Sequence, residues 1–424
     1  MSRDAQLITE SWAAIEPRAE RVARFFYAQI FYDHPEARAM FPVVMDIQRE
    51  RLLGALVRIV HGLATPENLA PYLAQLGRDH RKFGVLPEHY ALVGDSLVAA
   101  LREYGGLSWT PEVEAAWRRA LGKVATVMMD AAGRAGADPP WWTGQVIGHE
   151  LRAPDVAVLT LRLDQPMRYL PGQHVMLETP RRPRLWRPYS IANAPRPDGT
   201  IDLHVKAVPG GWVSRALVHH TRPGDLLRLG APTGPMTVDP ASGRDVVCVA
   251  GGTGLAPLKA IVEEMARWNT ERQVTVFVGA RRSEELYDLA ALDRLTRAYE
   301  WLDVVPAVSA ERGFPGESGP VADVFADNGA WDEHDVYVAG TPDMIRYTLA
   351  RCRELRLPPA RGRYDGLAGG ECAFRAGAPG VSELAGAVGP AGSGAARAGS
   401  GGAHAAGVGS VPGAVGRGPA TGGG

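Results

Sequence analysis

Three stretches of this 424-residue chain carry residue types at spacings that can do chemistry. Leu73, Leu76, His80 and Phe83 recur at helical period, so the imidazole of His80 points inward with the apolar stripe. A neutral imidazole is a good iron ligand. Upstream, Tyr27, Phe41, Gln48 and Leu52 supply a phenol, an aromatic wall, an amide and an apolar contact as its companions. The second stretch is Arg187-Pro188-Tyr189-Ser190, where a guanidinium matches a phosphate bidentately and a phenol offers a flat face with a polar tip. It is followed by Lys206 and by Gly210-Gly211-Trp212-Val213-Ser214. There the paired glycines let backbone amides approach an anion, and Val213-Ser214 opens a helix whose N-terminus favours phosphate. The third stretch is Gly251-Gly252-Thr253-Gly254-Leu255-Ala256-Pro257, between the apolar run 245–250 and the helical run 258–265. A glycine turn in that position is a pyrophosphate cradle. Cys248, Cys352 and Cys372 are scattered and odd in number, which argues against a disulfide frame, an iron–sulfur cluster or a zinc site. Any metal must be held another way.

Three kinds of element have to position these residues. From residue 5 to about 135 the apolar pattern is helical: Leu7, Ile8, Trp12 and Ile15 share one face, Val22, Phe25, Phe26 and Ile30 the next, and Leu52, Leu53, Leu56, Val57 and Val60 another. Helix breaks are expected at Pro35, Pro42, Pro66 with Pro71, Pro87 and Pro111. No strand pattern intervenes, so residues 1–135 form an all-α domain. The breakers in 136–143 make a linker. Residues 144–240 hold short strand-like runs at 144–148, 156–163, 174–177, 201–205 and 225–229, separated by Gly/Pro turns, which predicts a small antiparallel β-barrel. In 241–365 the strands 245–250, 274–278 and 335–339 alternate with helices, predicting an α/β domain on a parallel sheet. Beyond, 366–424 is almost all Gly, Ala, Pro, Ser and Arg, a composition that cannot bury enough apolar surface to order a chain, and a disordered tail is expected.

With those residues in place, the N-terminal stretch resembles a globin of the flavohaemoglobin type, and Arg187-Pro188-Tyr189-Ser190-Ile191-Ala192 resembles the flavin signature of the ferredoxin-reductase superfamily. The resemblance implies haem b with His80 as proximal iron ligand, Phe41 packed on the porphyrin, Tyr27 and Gln48 facing bound oxygen, and Leu52 lining the same pocket. It implies FAD with Arg187 on the pyrophosphate, Tyr189 on the isoalloxazine, Ser190 near its reactive nitrogen, and the stretch from Lys206 to Ser214 as second flavin motif. For NADH or NADPH it implies the turn Gly252, Thr253, Gly254 and Pro257, with Gly340, Pro342 and Met344 as second loop and Ala339 where a cysteine is common. The activity implied is electron transfer from NAD(P)H through FAD to haem-bound oxygen, with nitric oxide dioxygenated to nitrate. Two alternatives stand beside it: a haem-based gas or redox sensor with a reductase module, and a flavin reductase using another acceptor.

Two departures from the family pattern stand out. The family orients its proximal histidine through a tyrosine and a glutamate; Tyr90 can be the tyrosine, but the end of the last helix holds only Asp130, about one turn early. Relatives end on an aromatic soon after a tyrosine like Tyr364, whereas Gly366-Leu367-Ala368 follows here. The glycine- and alanine-rich remainder has the composition of a G/C-rich gene read out of frame, or of an appended linker. After the second nucleotide-domain strand comes Gly279-Ala280-Arg281-Arg282 without an acid, so the usual carboxylate for an unphosphorylated ribose is missing. Arg281 could accept a 2′-phosphate or be solvated surface charge, and the choice of NADH or NADPH stays open. A net charge of −1 favours neither nucleic acid nor an acidic membrane as partner, and no obligate protein partner is evident. With no apolar run near the roughly 20 residues that span a bilayer and no signal-peptide pattern, a cytoplasmic protein is expected.

Overall fold

In a computed structural model that describes residues 2–364, the helical stretch folds into α1 (Arg3–Ile15), α2 (Ala19–Asp33), α3 (Asp46–Gly62), α4 (Pro66–His80), α5 (Pro87–Gly105) and α6 (Pro111–Arg134). Proline opens α4, α5 and α6, where its missing N–H has no intrahelical partner to lose. Side-chain caps from Ser2 to the Ala5 N–H and from Thr110 to the Val113 N–H start α1 and α6. Pro71 does not break the chain as expected: it lies inside α4, close enough to the start that only the bond to the Glu67 carbonyl is forfeited. Ile8, Ile15, Val22, Leu101 and Trp117 are buried at the centre, and the Trp117 indole donates to Ser11 Oγ at 3.1 Å. The tightest approach is α4 on α6, where a Cβ on Gly77 would stand 2.2 Å from the Met128 carbonyl oxygen. Glycine is therefore required there, and it sets the height at which His80, three residues on, enters the interior.

The second part is one antiparallel sheet of β1 (Trp142–Ala153), β2 (Val156–Leu163), β3 (His174–Thr179), β4 (Arg182–Ser190), β5 (Thr200–Lys206) and β6 (Leu226–Leu229), in the order β4-β3-β6-β1-β2-β5. An antiparallel bridge between Ile191 and Leu203 joins its two ends, and register shifts in β1 at Val146/Gly148 and Leu151/Ala153 supply the bend. The barrel expected from the strand spacing is thus present, filled by Leu159, Leu161, Leu177, Ile191 and Leu203 and capped by α7 (Trp212–His219). Pro188 is tolerated because β4 is an end strand.

The third part has six parallel strands, β7 (Asp245–Gly251), β8 (Val274–Ala280), β9 (Leu302–Val308), β10 (Glu317–Ser318), β11 (His334–Ala339) and β12 (Gly362–Tyr364), in the order β10-β9-β8-β7-β11-β12. Helices α8 (Leu255–Met265), α9 (Leu289–Ala298), α10 (Val321–Asp327) and α11 (Pro342–Glu354) cover it. Residues 246–250 of β7 are wholly buried, the signature of a central parallel strand. Strand order reverses between β7 and β11, and ligand crevices form at such a switch point. The predicted tail and Cys372 lie outside the described residues. Among the described residues no helix is long and apolar enough to cross a membrane.

Candidate functional site

One continuous cavity of about 2080 Å³ is walled by all three parts of the chain. Single-ligand clefts hold roughly 300–1,000 Å³, so this space has room for more than one cofactor. Every sequence-predicted site residue borders it except Pro257, which is buried in the first turn of α8.

At the helical end, His80 closes α4 beside Tyr90, with ring centroids 6.5 Å apart. Its Nδ1 lies 2.7 Å from the Leu76 carbonyl oxygen. A carbonyl can only accept, so Nδ1 carries the proton and Nε2 keeps a free lone pair, the tautomer a metal ligand needs. Burial lowers the imidazole pKa and keeps it neutral. Asp130 is exposed on α6, so the orienting partner of His80 is a neutral backbone carbonyl. Across the space, Tyr27 is buried on α2 and its hydroxyl donates to the Gln48 carbonyl oxygen at 3.3 Å. Burial pushes the phenol up to about 12, so it stays a donor at neutral pH. Phe41 packs edge-on to Tyr27 at 5.5 Å, and Gln48 and Leu52 reach the same space from α3. Among the described residues no group of three or more His, Cys, Asp and Glu side chains gathers to hold a bare metal ion. The apolar walls around His80 fit a porphyrin, which would supply the other donors of an iron held by its Nε2. His89 accepts the Leu86 N–H at 3.0 Å and caps α5, and it also borders the cavity.

In the middle, β4 presents Arg187, Tyr189 and Ser190 to the cavity. Burial raises the Tyr189 phenol above its ordinary range. Gly210, at φ 72°, and Gly211 lead into α7. The side chain of Val213 is in the barrel core, and the Ser214 hydroxyl is tied to the loop through Val208 N at 3.3 Å and Gly211 O at 3.4 Å. What this loop offers a ligand is its backbone N–H groups, which suits a pyrophosphate. Lys206 stands between Asp155 at 3.5 Å and Glu285 at 3.8 Å, bridging the barrel to the third part.

At the far end Gly252, at φ 53°, with Thr253 and Gly254 forms a tight turn after β7. A Cβ on Gly254 would meet the Ala339 carbonyl oxygen at 2.2 Å, so only glycine lets β11 and this turn close up. Gly340, Pro342 and Met344 form the facing rim, with Met344 Sδ 3.3 Å from where a Gly251 Cβ would be, and Arg281 borders the space from the end of β8.

The junction between the helical part and the barrel holds residues that the sequence reading missed. Lys82 is buried on the faces of Phe83 and Trp186, 5.2 and 5.6 Å from the ring centroids, and pairs with Asp79 at 3.2 Å. Phe83 meets Trp186 edge-on at 6.2 Å. Arg51 borders the cavity; the protein around it, and after that Arg187, lowers its guanidinium pKa. Arg51, Lys82 and Arg187 gather at this junction with Asp79 as the acid beside Arg51 and Lys82, a positive excess that suits the carboxylates of a haem and the phosphates of a flavin dinucleotide. The one signal in the sequence was Trp186, an aromatic directly before the Arg-Pro-Tyr-Ser stretch.

Comparison with known proteins gives three matching family models: Globin over residues 24–128, Oxidoreductase FAD-binding domain over 143–238 and Oxidoreductase NAD-binding domain over 248–349. Reductase component 1 of terephthalate 1,2-dioxygenase from a Comamonas species is 32% identical over 221 residues, 51% of this chain, and the chain spans 65% of that relative's length. The flavohaemoprotein of Bordetella parapertussis is 30% identical over 300 residues, 65% of this chain and 73% of that protein. The structure of a flavohaemoglobin from Malassezia yamatoensis with bound FAD and haem matches with a TM-score of 0.71 at 18% identity, over 86% of this chain and 98% of that one, a likeness of fold.

Proposed function

Because this chain belongs to the flavohaemoprotein family, we propose that it is an NAD(P)H-dependent haem–flavin oxidoreductase of the nitric oxide dioxygenase type, taking nitric oxide and oxygen to nitrate. The observation that carries this reading is the single cavity, with His80 at one end, the Gly252–Gly254 turn at the other and Arg187, Tyr189 and Ser190 between them. When bound, FAD would take a hydride as an electron pair and release electrons singly to a haem iron that binds a diatomic gas. His80 supplies the iron with a neutral Nε2, oriented through Leu76. Tyr27 and Gln48 set a phenol and an amide where negative charge develops on a bound gas. Arg187 and the α7 N-terminus would hold the phosphates of FAD, and Tyr189 would lie against its ring. The reactants are small molecules, and NAD(P)H as donor is what points to the cytoplasm as the site of action.

Anaerobic NADH, then oxygen with nitric oxide, tests the reading on the purified protein. Flavin bleaching, ferric-to-ferrous conversion of the haem and steady nucleotide consumption with nitrate formed are expected. Flavin reduction without haem reduction sinks it. A sensor remains the second reading, favoured by the neutral carbonyl behind His80, and steady turnover with both gases excludes it.

A further inference from the structure

The acid that the end of β8 lacks is supplied by the neighbouring strand. In a sheet of this type the pyrophosphate sits on the glycine turn after the first strand, and the adenosine ribose falls at the tip of the second. That tip is Arg281-Arg282-Ser283. β9 runs parallel beside β8 with Val308 opposite Ala280, and the pairing continues past both strands, the Ala310 N–H donating to the Arg281 carbonyl at 2.8 Å. The next residue is Glu311. Its carboxylate accepts from the Ser283 N–H at 2.7 Å and the Ser283 hydroxyl at 2.9 Å, one on each oxygen. Those same contacts hold its pKa below the ordinary carboxylate value. Register alone therefore brings a fixed, ionised carboxylate to the tip of β8, two residues beyond Ser309, which with Arg281 borders the cavity, while Glu311 itself stands just outside the lining.

We propose that Glu311 selects an adenine dinucleotide with an unphosphorylated ribose, so that the electron donor is NADH. The proposal rests on the oxidoreductase reading above. A 2′-phosphate needs positioned donors, and the two fixed at this tip, both on Ser283, are committed to Glu311. A phosphate dianion arriving there also meets a carboxylate. A carboxylate has about four lone-pair sites and Ser283 uses two, so Glu311 can still accept from the ribose hydroxyls. Arg281 borders the cavity with an exposed side chain, and Arg282, also exposed, lies 4.0 Å from Glu284 and close enough to Glu311 to lower its pKa, so their pull on a phosphate is screened by solvent and by these acids.

The test compares the holoprotein with its Glu311→Gln and Glu311→Ala variants in two ways. Stopped flow gives flavin reduction by NADH and by NADPH, and calorimetry gives binding of ADP-ribose and 2′-phospho-ADP-ribose. The wild type is expected to favour the unphosphorylated ligand in both. Both variants should shift the preference toward the phosphorylated ligand by about tenfold, the worth of one charge-assisted hydrogen bond. A wild type that favours NADPH, or a preference unmoved in both variants, overturns the proposal. If neither nucleotide reduces the flavin, the oxidoreductase reading falls, and the calorimetric pair still decides the role of Glu311.

Discussion

A single hydrogen bond sets the chemistry available to His80, and its acceptor is the Leu76 carbonyl. Replacing His80 by Ala removes the one protein donor to an iron, while Arg187, Tyr189 and the α7 loop are untouched. The variant should be purified without haem and with full FAD, as read by pyridine haemochrome and flavin fluorescence; normal haem content would end the assignment. A neutral carbonyl draws less on the Nδ1 proton than a carboxylate does, so the iron–histidine bond should be weaker than with a glutamate behind it. Ala132 lies one turn beyond Met128, half-buried, whereas Arg134 is exposed. Resonance Raman spectra of the ferrous protein should show a raised iron–histidine stretch for Ala132→Glu and none for Arg134→Glu. Equal stretches in both would mean that the added carboxylate does not reach His80 or Tyr90.

Two close approaches between elements hold the walls of the cavity, and both depend on a missing Cβ. In Gly77→Ala the new methyl meets the Met128 carbonyl 2.2 Å away, backbone that cannot step aside, so α4 must lift from α6. A loss of about 1–3 kcal/mol in the helical part is expected, the usual range for overpacking, with faster haem loss and an unchanged reductase. Denaturant melts followed at the haem band check it, and an unchanged midpoint would refute the contact. At this scale the chain was legible where a rule acts on neighbours in sequence. The Leu73, Leu76, His80, Phe83 stripe, the strand–turn–helix around Gly252 and the spacing of short strands all led to the elements found. Pro71 was misread because a breaker near a helix start costs one bond and no more. Of Lys82 against Trp186 only the place of the tryptophan before the Arg-Pro-Tyr-Ser stretch was legible, and Glu311 against Ser283 was not legible at all. Those pairs are made by docking and by register between strands, which no local periodicity encodes.

For the whole molecule, a buried histidine pins the barrel to the nucleotide-binding part. His204 on β5 lies 2.8 Å through Nδ1 from the hydroxyl of Tyr287, and beside that tyrosine Asp288 pairs with Arg152 of β1 at 3.1 Å. Burial depresses His204 to about 3 and His174, also in the barrel, to about 4, against an ordinary 6.5. The folded state keeps both neutral while the unfolded chain takes up protons. Their stabilisation is therefore complete above pH 6.5 and lost as pH falls toward 3–4, at about 1.4 kcal/mol per pH unit for each histidine. Thermal melts of the FAD-loaded protein should drop over that window, and His204→Gln, which keeps an amide at the joint, should drop less steeply. Parallel pH curves for the two would remove His204 from the account. Elsewhere the covalent joint is short. Arg81, the residue after the proximal histidine, donates to the carbonyls of Ala135 and Asp138, both at 2.6 Å. Those bonds fasten the start of the linker to the helical part, and β1 begins at Trp142, leaving three residues, about 10 Å of chain, between the two parts, the last of them, Trp141, under the Arg228 guanidinium at 4.9 Å. Over such a span the local concentration of one part around the other is of millimolar order. On the proposed oxidoreductase reading, haem reduction in the intact chain would be a first-order event whose rate ignores dilution, whereas the helical part and the reductase expressed separately would slow in proportion to their concentration.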